Sequence, residues 1–159
     1  MQLGIEGLQI RQFGNDDVDR WARTDLERRY LAEAVQNSGD YLAAVLPDGR
    51  IAGKVGIRYD ERPEAGNLFQ FDVAEDLRSQ GIGTELARSA EQRIREHGRN
   101  LATLAVEDSN EGAIRLYRRL GYEVIGTETA EWNQEAPDGS IYLYQCQCLT
   151  MQRDLAEQE

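Results

Sequence analysis

The stretch that most constrains this chain is RSQGIGTEL (78–86), which follows the strand-like run NLFQFDV (67–73) and leads into a helix-like run. It sets glycines at 81 and 83 where a helix begins, although glycine disfavours helix. No carboxylate falls from Leu77 to Thr84. A helix start has unpaired N–H groups and a partial positive charge, which early acidic residues usually stabilise. Glycines let a bulky anion approach those N–H groups closely. A phosphate or pyrophosphate would then stand where the Asp or Glu is missing. A plain strand-to-helix turn accounts for the same residues, and the stretch by itself leaves both readings open.

The elements around this junction read as an α/β (α+β) chain. LQIRQF (8–13) alternates as a strand. Asn15 or Asp16 can cap a helix carrying Val18, Trp21 and Ala22, and Thr24 to Glu27 has capping-box spacing. Residues 16–37 therefore read as two helices or one bent helix. YLAAVL and IAGKVGIRY flank PDGR as a hairpin, and DERPEAG (60–66) is a loop. Ile82, Leu86, Ala90 and Ile94 form one apolar stripe on a helix from about Gly81 to Glu96, with Gly98 just past its end.

LATLAV (101–106) is a strand, and SNEGAIRLYRRLG a short helix capped at Ser109 or Asn110 and stopped at Gly121. YEVIGT is a strand, EWNQEAPDG (131–139) a loop and SIYLYQCQCLTMQ (140–152) a long final strand. The order β, α(α), β, β, β, α, β, α, β, β implies a mostly antiparallel sheet around a central strand–helix–strand unit. At 159 residues and 40% hydrophobic, residues 1–159 suit a single domain.

Charge narrows the partners. With 29 acidic and 18 basic residues the formal net charge is −11. Nucleic acid and anionic membrane surfaces are poor partners for such a chain, because both need clustered Lys and Arg. Cationic small molecules and basic peptides suit it, although solubility explains the same charge. There is no apolar run of membrane-spanning length and no signal-peptide pattern. Cys146 and Cys148 lie two apart on one strand face, a poor disulfide geometry. With His97 the only histidine, a metal site lacks ligands. Packed, reduced thiols in a cytoplasmic protein are the expectation.

A second motif follows about thirty residues after Gly81. Arg78, Gly81 and Gly83 match Arg/Gln-x-x-Gly-x-Gly/Ala after a strand. Asn110, Ala113, Tyr117, Gly121 and Tyr122 match Asn-x-x-Ala-x-x-x-Tyr-x-x-x-Gly-Tyr/Phe. In order and separated by a helix and a strand, the two signatures make residues 68 to 127 resemble the GNAT (GCN5-related N-acetyltransferase) superfamily. The resemblance implies an acyl-CoA fold with a mixed, mostly antiparallel seven-stranded sheet and about four helices. It also implies acetyl-CoA as cosubstrate, bound where strands 68–73 and 101–106 splay apart.

By that resemblance, backbone groups of Val73 and Ala74 would meet the pantetheine arm. The amides of Ser79, Gln80, Gly81, Ile82, Gly83 and Thr84 would hold the pyrophosphate, with Arg78 adding charge. Asn110 would bond the pantetheine arm while also capping its helix. Tyr117 would protonate the leaving thiolate, since a phenol of pKa about 10 suits that task; a core tyrosine on the stripe of Ile114 and Leu120 is the bland reading.

The acceptor amine needs its proton removed. Family members carry a glutamate where this chain has Asn67 or Ala105, so Asp72, and after it Glu107, is the candidate base. A solvated carboxylate, or proximity with bulk water as acceptor, remains the alternative. Arg88, Arg115, Arg118 and Arg119 flank the expected groove; one or two of them would meet the 3′-phosphate, while a solvated helix face accounts for any single one. Asp25, Glu27, Trp132 and Glu135 would shape an acceptor pocket, while His97 at a helix C-terminus suits the dipole and not catalysis.

The expected activity is direct acetyl transfer to a primary amine on a small cationic molecule or a peptide, with no covalent cysteine intermediate. The alternative is a non-catalytic acyl-CoA-binding sensor or interaction module of the same fold. A dinucleotide-binding oxidoreductase fails on glycine spacing and strand order. A homodimer would pair through the long C-terminal strand.

Overall fold

Strand β1 (Gln9–Gln12) opens the fold in the computed structural model, which describes residues 5–156. The helix signals behind it resolve into two helices, α1 (Asn15–Trp21) and α2 (Asp25–Asn37). Gly14, not Asn15 or Asp16, stands at the α1 N-cap, and the Asp17 carboxylate accepts from the Gly14 N–H at 2.8 Å. Thr24 caps α2, its hydroxyl accepting from the Glu27 N–H at 3.0 Å. The Glu27 carboxylate reaches back to the Arg23 N–H at 2.7 Å, one residue beyond the cap. The turn at 47–49 joins β2 (Asp40–Val45) to β3 (Ile51–Arg58), and Gly49 supplies its left-handed φ of +91°.

β4 (Ala65–Val73) leads through a single 3₁₀ turn, Glu75–Leu77, into α3 (Ile82–Glu96). Next come β5 (Leu101–Glu107), α4 (Glu111–Arg119), β6 (Glu123–Glu135) and β7 (Ile141–Asp154). The seven strands form one sheet in the order β1-β2-β3-β4-β5-β7-β6. Only β4 and β5 pair in parallel. The four helices and the mixed, mostly antiparallel sheet match the expected architecture.

Each face of the sheet has its own core. Ile82, Leu86, Ala90 and Ile94, the α3 stripe, pack on Val55, Ile57, Leu68 and Leu104. The approach is so close that a Cβ on Gly66 would lie 2.5 Å from Ile94 Cγ1. On the opposite face Phe13, Val18 and Leu31 pack on Tyr41, Ala43, Val45 and Ile51. At about 25 cal/mol per Å² of apolar surface, these two cores are the main source of stability.

Residues 131–135, expected in a loop, belong to β6. The turn is confined to 136–140, where Ala136 N–H donates to the Ser140 carbonyl at 2.8 Å and Gly139 takes φ +88°. Trp132 sits opposite Tyr144 with ring centroids 5.1 Å apart, and Gln145 donates to Glu131 at 2.8 Å. These cross-strand pairs hold a polar run in strand form. β7 lies between β5 and β6, so the sheet's outer strand on that side is β6. A strand-paired homodimer would therefore form through β6 rather than through the final strand.

Candidate active site

β4 and β5 pair from Ala65 opposite Leu101 to Leu68 opposite Leu104 and then part. β4 goes on to Val73 against β3, and β5 goes on to Glu107 against β7. The separation follows from a bulge. Gly56 faces Phe69, yet Lys54 faces Asp72, so β4 holds one extra residue. Gln70 occupies it with φ +50°. Its side-chain oxygen accepts from the Tyr41 hydroxyl at 2.6 Å, and its carbonyl accepts from Lys54 Nζ at 2.8 Å. Lys54 is 6% exposed, and burial pushes its ammonium down to about 8, against the pull of Asp72 and Glu27.

The loop from β4 to α3 presents donors. Ser79 and Gly81 both take positive φ, +66° and +88°. No side chain caps α3, and among the described residues no acceptor bonds the N–H groups of Ser79, Gln80, Gly81, Ile82, Gly83 or Thr84. Successive unpartnered N–H groups at a helix start form an anion-binding concavity. Arg78 folds back beside it, Nε donating to the Val73 carbonyl at 3.1 Å and Nη2 to Asp72 at 3.2 Å. The Ala74 N–H donates to the Ala52 carbonyl at 2.8 Å, and the Ala74 carbonyl accepts from the Leu77 N–H at 2.9 Å. Both backbone groups of Ala74 are therefore engaged, and at Val73 the carbonyl is held by Arg78.

Across the opening stands α4. Tyr117 is 7% exposed, 5.6 Å from the Phe71 ring and 6.1 Å from the Tyr122 ring. Among the described residues its hydroxyl has no hydrogen-bond partner. Burial, and then the charge of Asp72, raises its phenol above the ordinary value. Asn110 caps α4, Oδ1 accepting from the Ala113 N–H at 3.2 Å. A Cβ on Gly83 would lie 3.0 Å from Leu116 Cδ2, so glycine lets the two helices close up.

On the α2 side of the sheet an open groove of about 1450 Å³ reaches the bulge. Tyr30 and Glu33 of α2, Arg58 at the end of β3 and Asp60 beyond it, Phe69 and Gln70 of β4, and Glu131 and Trp132 of β6 line it. It combines three carboxylates with aromatic walls. A cation with an apolar body suits such a surface.

Residues 7–122 match the model of the acetyltransferase (GNAT) family. The chain belongs to the GNAT family. It is 32% identical over 113 residues to a streptothricin acetyltransferase from Streptomyces lavendulae, covering 71% of this chain and 60% of that protein. A mycothiol acetyltransferase from Rhodococcus jostii is 29% identical over 115 residues, 69% of this chain and 38% of its own length. The chain thus spans less than two thirds of both curated relatives. An IAA acetyltransferase from Bacillus cereus superposes with a TM-score of 0.72 at 18% identity, over 94% of this chain and 100% of that one, which shows the fold.

Within this GNAT chain the remaining expected residues separate into two groups. Trp132 lines the groove, but Glu135 accepts from the Leu26 N–H at 3.4 Å, Glu27 from Arg23, and Asp25 pairs with Arg28, so these three acids serve the start of α2. Glu107 accepts from the Tyr144 hydroxyl at 2.8 Å. Asn67 donates to Thr103 Oγ1 at 3.0 Å, clamping β4 to β5 just before they part. Arg88 donates to Glu91 at 3.0 Å, whereas Arg115, Arg118 and Arg119 are exposed on α4.

His97 stacks on Tyr59 at 4.0 Å, with Nδ1 3.0 Å from the Arg93 carbonyl. The Cys146 and Cys148 sulfurs lie 3.7 Å apart, both free thiols. Among the described residues no His, Cys, Asp and Glu grouping could hold a metal ion, and no helix is long and apolar enough to cross a membrane. Sequence reasoning missed Glu33, Asp60, Glu131 and Lys54. Their spacing carries no signal, and only the fold brings them to the bulge and groove.

Proposed function

We propose that this chain is an acetyl-CoA-dependent N-acetyltransferase that transfers the acetyl group directly to a primary amine. The reading rests on one observation above all: the N–H groups of Ser79 to Thr84, which have no partner among the described residues, follow directly on β4, the strand that leaves β5 after Leu68. Such a cradle fits a pyrophosphate, and the uncapped α3 start supplies the matching polarity. Arg78 would exchange Asp72 for a phosphate oxygen. Val73 and the free side-chain amide of Asn110 would hold the pantetheine arm. Bound there, acetyl-CoA supplies an activated acyl group and a thiolate leaving group.

Tyr117, like any phenol, is protonated at neutral pH, and it gives that proton to the departing sulfur. The carboxylates of Glu33, Asp60 and Glu131 draw an ammonium into the groove. Asp72, whose charge reaches both Tyr117 and Lys54, is the proposed acceptor of the amine proton, directly or through water. Releasing Arg78 to phosphate would free Asp72 for that role. The acceptor class is a small cationic amine or a peptide amine. The streptothricin acetyltransferase relative and the chain's acidity support the first.

One observation favours a non-catalytic acyl-CoA-binding module instead: Asn67 and Ala105 stand where family members carry a glutamate, and Asn67 is engaged with Thr103. A panel of primary amines with acetyl-CoA, read by release of free thiol, separates the two. Turnover with cationic amines supports the enzyme. Saturable binding of coenzyme A with no turnover on any amine supports the module.

A further inference from the structure

Gln70 is an L-residue held at φ +50° in the middle of a strand. That conformation is strained and persists only where neighbours over-determine it. Here the neighbours form a triangle. Lys54 Nζ donates to the Gln70 carbonyl at 2.8 Å and to Tyr41 Oη at 3.1 Å, and the Tyr41 hydroxyl donates to Gln70 Oε1 at 2.6 Å. Both ends of one residue are thus gripped by a single Lys–Tyr pair.

The pair is itself firmly seated. Tyr41 is fully buried, 5.1 Å from the Phe13 ring and 5.9 Å from the Phe69 ring. Lys54 Nζ lies 5.6 Å from the Trp21 ring and 5.7 Å from the Tyr41 ring. A lysine in this setting is desolvated at a cost that a methionine of similar length would avoid. Packing alone therefore does not account for a lysine, whereas two directed hydrogen bonds do.

The bulge decides two things about the cleft. It begins one residue after the last β4–β5 pair, Leu68 with Leu104, since Phe69 is still in register with Gly56, so it turns β4 out of the sheet and opens the slot. It also shifts side-chain parity by one residue, since strand side chains alternate. With the bulge in place Asp72 faces Lys54, while Phe71 packs against Tyr117. Without it the two would exchange faces.

We propose that Lys54, acting with Tyr41, is a positioning residue for acyl transfer: it clamps Gln70 and so fixes the bulge that opens the β4–β5 slot and aims Asp72 and Phe71. Lys54 does not line the groove, so it acts through Gln70 rather than on the substrate. The inference rests on the acetyltransferase reading for its kinetic readout only. Its structural readout stands apart from turnover.

The test compares Lys54→Met, Tyr41→Phe, Gln70→Gly and the double variant Lys54→Met with Gln70→Gly. Glycine adopts positive φ without strain, so it relaxes the need for a clamp. Lys54→Met should lower kcat by ~10–100-fold while KM for the amine changes ~3-fold or less, as expected when a site is misplaced rather than removed. Tyr41→Phe should do the same more weakly. Adding Gln70→Gly should restore at least about a third of the lost activity on the logarithmic scale.

Hydrogen exchange supplies the second readout. Amides of Phe71 to Val73 should exchange faster in Lys54→Met, with α3 and β5 unchanged, and the coenzyme A dissociation constant, read by calorimetry, should rise. A folded Lys54→Met protein with unaltered exchange at 71–73 overturns the proposal. So does a kcat loss that Gln70→Gly leaves untouched. If the wild-type protein acetylates no amine, the acetyltransferase reading fails, and exchange and calorimetry still decide the clamp.

Discussion

Arg78 Nε donates to the carbonyl oxygen of Val73 at 3.1 Å, across the turn that joins β4 to α3. The same guanidinium pairs with Asp72, so a cation stands beside a row of N–H groups without partners among the described residues. The contact keeps the cradle's charge close without filling it. In the proposed complex a pyrophosphate would compete with a partly exposed carboxylate, an exchange of one screened anion for a more highly charged one.

Arg78→Ala should therefore weaken acetyl-CoA more than it slows chemistry. A charge-assisted hydrogen bond is worth about 1.5–3 kcal/mol, or roughly 10–100-fold in KM for acetyl-CoA. Initial-rate kinetics with acetyl-CoA varied at fixed amine checks this. Added salt should raise the wild-type KM and affect the variant less.

Tyr117→Phe should remove the acid and leave the fold intact, since the ring still packs against Phe71 and Tyr122. Loss of a positioned general acid costs roughly 10²–10⁴-fold in kcat. Because burial raises the phenol above its usual value, Tyr117 stays protonated as pH rises. The kcat profile of the wild-type protein should accordingly show no descending limb below about pH 10.

Lys54 gives a stability prediction with a definite sign. Its folded pKa of about 8 lies below the ordinary value of 10.5, so between these pH values the unfolded chain binds more protons. Stability contributed by this group rises with pH across that window, by at most about 1.4 kcal/mol per pH unit. Below pH 8 the cost of burying the charge is fully present. Urea unfolding of the wild type and of Lys54→Met at pH 7.5 and 9.5 should show the wild type gaining on the variant at the higher pH.

Glu91 is fully buried on α3 and accepts from Arg153 and Arg88 through one oxygen and from the Tyr122 hydroxyl, at 2.8 Å, through the other. It ties α3 to β7 and to the segment just after α4. Replacing it by leucine breaks the buried Glu91–Arg153 ion pair and removes the acceptor of the Tyr122 hydroxyl, and denaturant unfolding should show a loss of about 3–5 kcal/mol.

Much of this was legible in the sequence because the signals are local. The Pro-Asp-Gly turn, the four-residue stripe of α3 and the two spaced motifs each fix a short segment. What stayed hidden depends on distant partners. Lys54 is one residue of the strand-like run IAGKVGIRY, and only the fold brings it against Tyr41 and Trp21.

The bulge at Gln70 leaves no trace, because NLFQFDV alternates well enough as an ordinary strand. EWNQE reads as a loop because an edge strand with two wet faces keeps polar residues on both. Asp25, Glu27 and Glu135 looked like acceptor ligands by position, yet unpaired N–H groups and arginines at the start of α2 claim them.

The central claim is that the start of α3 and the neighbouring slot receive the diphosphate and pantetheine of coenzyme A. The most direct measurement is a titration of coenzyme A into isotope-labelled protein, following the backbone amide resonances. Saturable binding should shift Ser79 to Thr84 and Val73 most, with the Tyr117 ring responding when acetyl-CoA replaces coenzyme A. No saturation, or shifts confined to residues away from that loop, would contradict it.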